Sequence, residues 1–142
     1  MIDQWAQTTL KNFGLIESEA KNIASRFKAM SNSMGVIDTD GRNMSITLTQ
    51  LAGDLASFYN TTSDIAATAL SGVFTGETES LKQFGVVMTE ANLEAYALSQ
   101  GITRSYSAMS QAEKVALRYN YVLQATADAQ GDFARSANSW AN

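Results

Sequence analysis

The residues able to do chemistry are few, and most of them are acidic. Asp38-Thr39-Asp40-Gly41 invites a calcium reading. In the loop that wraps calcium, Gly sits at position 6, with oxygen ligands at 1, 3 and 5 and a bidentate Glu at 12. Aligning Gly41 to that slot puts Val36 at position 1 and Thr47 at position 12, and neither supplies the ligand required. The phrase reads instead as a turn that caps a following helix through Asp38 or Thr39. The chain has no His and no Cys, so the commonest general base, the commonest metal ligand and every thiol nucleophile are missing.

Glu77-Thr78-Glu79-Ser80 contains the Glu-Ser pair that lytic transglycosylase domains use at their catalytic acid. Those domains follow it with a Gly-Leu-x-Gln-type segment, whereas Gly85-Val86-Val87-Met88 follows here, without the Gln. A muralytic enzyme with Glu79 as acid is thus one reading, and it requires an apolar pocket to raise the carboxyl pKa. The other is that Glu77 and Glu79 lie in the first turn of a helix and complement its dipole. Gly72 and Gly76 stand four apart on a segment too short and polar to span a membrane, which points to tight packing or a C-cap. Met30, Met34, Met44, Met88 and Met109 fall on apolar stripes and are read as core filling. Trp5 and Trp140, near the two ends, are read as packing or interface residues. No catalytic, cofactor-binding or metal residue is assigned.

Behind these phrases stand 142 residues, one domain's worth, with 45% hydrophobic and 17% charged residues. A chain of this size can bury roughly 68–70% of the surface it exposes when unfolded. It has no Pro, so the usual helix breaker is absent and continuous helix is favoured. The net charge is −4, and the five Lys and five Arg are scattered, which disfavours a direct nucleic-acid site. No apolar run approaches the ~18–20 residues of a transmembrane helix, and the N-terminus lacks a secretory pattern.

The periodicity is helical almost throughout. Ile16, Ala20, Ile23, Ala24, Phe27, Met30 and Met34 draw one stripe, with Ser18 as N-cap and Gly35 as stop. Residues 35–42 are the candidate flexible joint. Met44, Leu48, Leu51, Leu55 and Phe58 repeat at heptad-like steps, predicting a helix packed at a shallow angle, with Gly53 allowing close approach. A third helix carries Ile65, Ala66, Ala69, Leu70, Val73 and Phe74 and stops around Gly76; a short one over 77–84 stops at Gly85. Val86-Val87-Met88 is a buried connector, and Thr89 caps a helix carrying Leu93, Tyr96 and Ala97 that ends at Gly101. Ser110-Gln111-Ala112-Glu113 fits a capping box, opening a helix with Val115, Tyr119, Val122, Leu123, Thr126 and Gln130 inward. Gly131 interrupts it before Phe133. The pattern continues through Trp140 with no stop signal, which suggests a piece of a longer chain. The expected fold is all-α: one helical domain over 1–142, a multi-helix bundle or elongated array of about five to seven helices, without sheet. Leu48, Leu51, Leu55, Phe58, Phe74 and Leu81 are the packing and interface candidates.

A series of phrases, in order, resembles the tail tape measure proteins of long-tailed bacteriophages and prophages. It begins with Leu10-Lys11-Asn12-Phe13-Gly14-Leu15 and Ser18-Glu19-Ala20-Lys21, then runs from Leu48-Thr49-Gln50-Leu51-Ala52-Gly53 to Phe58-Tyr59-Asn60. Phe74-Thr75-Gly76-Glu77-Thr78-Glu79-Ser80-Leu81-Lys82, Leu93-Glu94-Ala95-Tyr96-Ala97 and Gln111-Ala112-Glu113-Lys114 follow, and Ala129-Gln130-Gly131-Asp132-Phe133-Ala134-Arg135 closes it. The resemblance spans roughly residues 5 to 142. It implies a non-enzymatic helical segment without cofactor, toward the N-terminal part of a chain whose length sets tail length. The implied partners are tail tube protein, tail assembly chaperones, tail tip proteins and further copies of itself as a homo-oligomer. The implied location is the virion tail, and the host cytoplasm during assembly. A generic helical protein-binding module is the third reading.

Overall fold

A computed structural model describes the backbone of residues 17–141 and the side chains of residues 17–136. The expected roles of Trp5, Ile16 and the Trp140 side chain lie outside the described residues. Seven α-helices occur among the described residues: α1 (Glu17–Ser33), α2 (Asp38–Phe58), α3 (Ser63–Leu70), α4 (Gly72–Thr75), α5 (Glu90–Ser99), α6 (Gln111–Ala125) and α7 (Asp132–Ala141). Two 3₁₀ helices, Glu79–Phe84 and Tyr106–Ala108, lie between them, and no strand is present among the described residues. The fold is all-α, as the periodicity predicts.

Without proline, glycine makes the corners. Gly35, Gly76, Gly85, Gly101 and Gly131 all adopt positive φ, where a side chain is strained, and each closes a helix or turn. Asn60 does the same after α2. The stops expected at Gly35, Gly76, Gly85 and Gly101 and the break expected at Gly131 are thus observed, and these five left-handed glycines turn the chain back on itself. Gly76 ends α4 as a C-cap, whereas Gly72 is a contact: a Cβ there would sit 2.2 Å from the Glu77 carbonyl oxygen.

α2 is the axis on one side, with α1, α3 and α7 packed along it. α6 is the axis on the other, contacted by α4 and α5, while α4 also reaches α1 and α3. The apolar stripes meet in one core running from Ile23 to Ala129. Leu48, Leu51, Leu55, Phe74 and Leu81 are all buried there, with Phe74 stacked obliquely on Phe27 at 5.8 Å between ring centres. Phe58 is 42% exposed and so lies at the surface and outside the core: it is the last residue of α2, and its ring faces Tyr59. Met44, Met88 and Met109 are buried, and Met30 and Met34 pack against the core.

The caps divide into those read correctly and those displaced. Thr89 Oγ1 accepts from Asn92 N and Ser110 with Glu113 forms the reciprocal capping box, both as expected, while Thr62, not among the expected caps, opens α3 by accepting from Ile65 N. Ser18 lies inside α1, one residue past its start, and is not its cap. Neither Asp38 nor Thr39 caps α2, which opens after Ile37 with no side-chain cap. Residues 38–42, placed in a flexible joint by sequence, form the first turn of α2 instead. Asp38 fixes that turn, at 2.8 Å from both Lys28 Nζ of α1 and Arg42 Nη2. The single helix expected over 65–74 is bent into α3 and α4 at Ser71.

Candidate functional site

Among the described residues two charged side chains are buried, Arg118 at 6% exposure and Asp54 at 4%. A buried charge is costly unless its hydrogen-bonding capacity is met. Arg118 projects from α6 toward the end of α4. Its Nε donates to the Val73 carbonyl at 2.7 Å, Nη2 donates to the Phe74 carbonyl at 3.2 Å, and Nη1 donates to the Tyr106 hydroxyl. α4 is one turn long: Gly76 N meets the Gly72 carbonyl, but the Val73 and Phe74 carbonyls lie in its last turn, where helical partners run out. The guanidinium fork supplies those partners and ties α4, the Tyr106 turn and α6 together.

Asp54 does the converse for α7. Its carboxylate accepts from Gly131 N at 2.8 Å and Phe133 N at 3.3 Å, capping the helix from 77 and 79 residues away. Beside it, the Ser57 hydroxyl donates to Asp132 Oδ2 at 2.8 Å. Burial raises the Asp54 pKa, against the lowering by the two backbone N–H groups.

Arg118 and Asp54 were absent from the sequence-based candidates, yet a signal exists for both. Arg118 lies three residues after Val115 and four before Val122, on the inward stripe of α6. Asp54 lies three after Leu51 and beside Leu55, on the buried stripe of α2. A charge written into an apolar stripe marks a buried polar contact.

The acidic phrases sit in different surroundings. Glu79 has an 80% exposed side chain and pairs with Lys82 at 2.9 Å across one turn of the 3₁₀ helix. That setting is solvent, not the apolar pocket a raised-pKa acid requires. Asp38 is also exposed, and the hydrogen bond from Lys28, then that from Arg42, holds its carboxyl below the usual range. Among the described residues no group of three His, Cys, Asp or Glu side chains is placed to hold a metal ion. No described helix is long and apolar enough to cross a membrane.

The described residues also line concave regions. A groove of about 480 Å³ runs between α5 and α6, with Tyr96, Ile102, Met109, Ala116 and Leu117 as apolar lining and Gln100, Glu113 and Asn120 as polar lining. Glu113 there is held by Arg104 at 2.7 Å and by the Ser110 backbone N–H, and the latter bond leads in lowering its pKa. A smaller one of about 220 Å³ lies under Gly131, lined by Thr47, Gln50, Leu51, Asp54, Leu123 and Gln130. Phe58, Tyr59, Ile65, Val87, Leu98 and Ile102 add exposed apolar surface.

Fold and interior thus define an all-α protein whose buried charges hold chain segments together. No protein-family model, curated protein or solved structure matches the chain.

Proposed function

We propose that this chain is a structural segment of a phage tail tape measure protein, working by contact and not by catalysis. The observation that carries the reading is the fate of the two buried charges: every contact named for Arg118 and Asp54 is with the chain's own backbone or the Tyr106 hydroxyl. The interior maintains a shape, and the surface is left to meet other molecules. Ordered resemblance along the sequence supports the tape measure assignment, and the all-helical architecture agrees with it. Five of the six packing candidates lie in the core, so contact with tail tube protein, assembly chaperones, tail tip proteins or further copies falls to exposed residues such as Phe58, Tyr59 and Leu98. The place of action is the virion tail, reached from the host cytoplasm during assembly.

Light scattering and crosslinking of the purified chain with those tail proteins test the proposal. Complex formation weakened by Phe58→Ser or Leu98→Ser is expected. A strict monomer that binds none of them removes the contact role. Clearing of peptidoglycan in a zymogram that disappears in Glu79→Gln would overturn the non-enzymatic reading. In a phage carrying the full gene, in-frame deletion of the segment shortens the tail. The upper limit is ~210 Å, from ~1.5 Å per residue of unbroken helix over 142 residues. Unchanged tail length contradicts the tape measure assignment.

A further inference from the structure

We infer that α7 is a strap, latched onto α2 by Asp54 and able to detach while the rest of the fold stays closed. Its principal packing partner is α2, whereas α1, α3 and α4 are cross-braced by several neighbours. The polar ties between α7 and α2 converge on one turn: Asp54 to Gly131 N and Phe133 N, and Ser57 to Asp132. No Ser, Thr, Asp or Asn stands immediately before α7, where Gly131 precedes Asp132; Asp132 N is met by the Ala129 carbonyl, and the Phe133 amide relies on a side chain from another helix.

The hinge is identifiable. Upstream of it, Gln130 is fastened to α6, its Nε2 donating to the Leu123 carbonyl at 2.6 Å. Downstream, Phe133 is fastened to Asp54. Gly131 lies between, at φ +82°, a backbone state open to glycine and strained for other residues. Beneath it is the 220 Å³ space lined by Thr47, Gln50 and Asp54, so the turn is not wedged against packed side chains. Arg135 spans the hinge from the solvent side, donating to the Gln130 and Asp128 carbonyls at 2.8 and 3.1 Å. Loss of the Asp54 contacts removes the cap and two of the three polar ties named, leaving the Ser57–Asp132 bond and an exposed arginine across the glycine.

Hydrogen exchange of the whole chain tests the strap. In Asp54→Ala, amides of 133–141 are expected to exchange on the order of tenfold faster, the usual consequence of a lost helix cap. Amides of 17–33, 63–75 and 111–125 keep wild-type protection. Unchanged protection over 133–141, or equal loss throughout the chain, overturns the inference. Should the variant not fold, the wild-type chain decides. Exchange over 133–141 that is insensitive to low urea marks local opening, and a urea slope equal to that of α2 marks global unfolding and refutes the strap.

Discussion

Replacing Arg118 with methionine should destabilise the protein by about 2–5 kcal/mol. Methionine preserves much of the aliphatic stem, so packing is largely retained. The fork that meets the Val73 and Phe74 carbonyls disappears. Each buried carbonyl left without its donor costs ~1–3 kcal/mol. The Tyr106 hydroxyl, only half-buried, can turn to water and adds little. Relief from burying the guanidinium charge offsets part of this cost. The net is a sizeable fraction of the ~5–15 kcal/mol expected for a whole domain, and corresponds to a fall in Tm on the order of 10 °C. Urea denaturation followed by circular dichroism at 222 nm measures it, with Tyr106→Phe as the comparison that deletes one contact and should cost ~1 kcal/mol or less. An Arg118→Met variant within ~0.5 kcal/mol of wild type, inside the usual surface range, would refute the account of Arg118 as the clamp of α4.

Three further outcomes follow from the geometry. Ser110→Ala removes one half of the capping box and should cost ~1 kcal/mol in thermal or urea melts. Gly72→Ala drives a Cβ into the Glu77 carbonyl and should cost ~1–3 kcal/mol; Gly35→Ala, with open space around it and only φ +76° to oppose it, should cost ~1 kcal/mol, and equal losses would contradict the contact at Gly72. Asp54 has a raised folded-state pKa, so its contribution to stability is fully present below the unfolded carboxylate pKa and is lost as pH rises through the folded value. Urea midpoints of Asp54→Asn should therefore gain on wild type from pH 3 to pH 7, and a constant gap would refute the burial effect. Glu113 and Asp38 have the opposite sign: their lowered pKa values stabilise the fold above the unfolded carboxylate pKa, and that support is lost as pH falls through the folded values.

The sequence by itself determined the all-helical class, the glycine corners, the capping box at Ser110 and most of the core. These are local matters: a 3.6-residue period, a left-handed φ and a side chain reaching an amide three residues on depend on near neighbours alone. Local signals were weaker at helix starts, where Asp38 was read as a cap and instead pairs with Lys28 of α1. Phe58 continues the apolar period of α2 and still faces solvent, because a period tells which residues share a face and not where the neighbouring helices end. Arg118 and Asp54 were decided by tertiary structure. A charge on an apolar stripe is visible in one dimension, but its backbone partners lie 44 to 79 residues away, and no local rule names them. The glycine turns bring α4 to α6 and α7 to α2, and only that return of the chain converts two buried charges from liabilities into clamps.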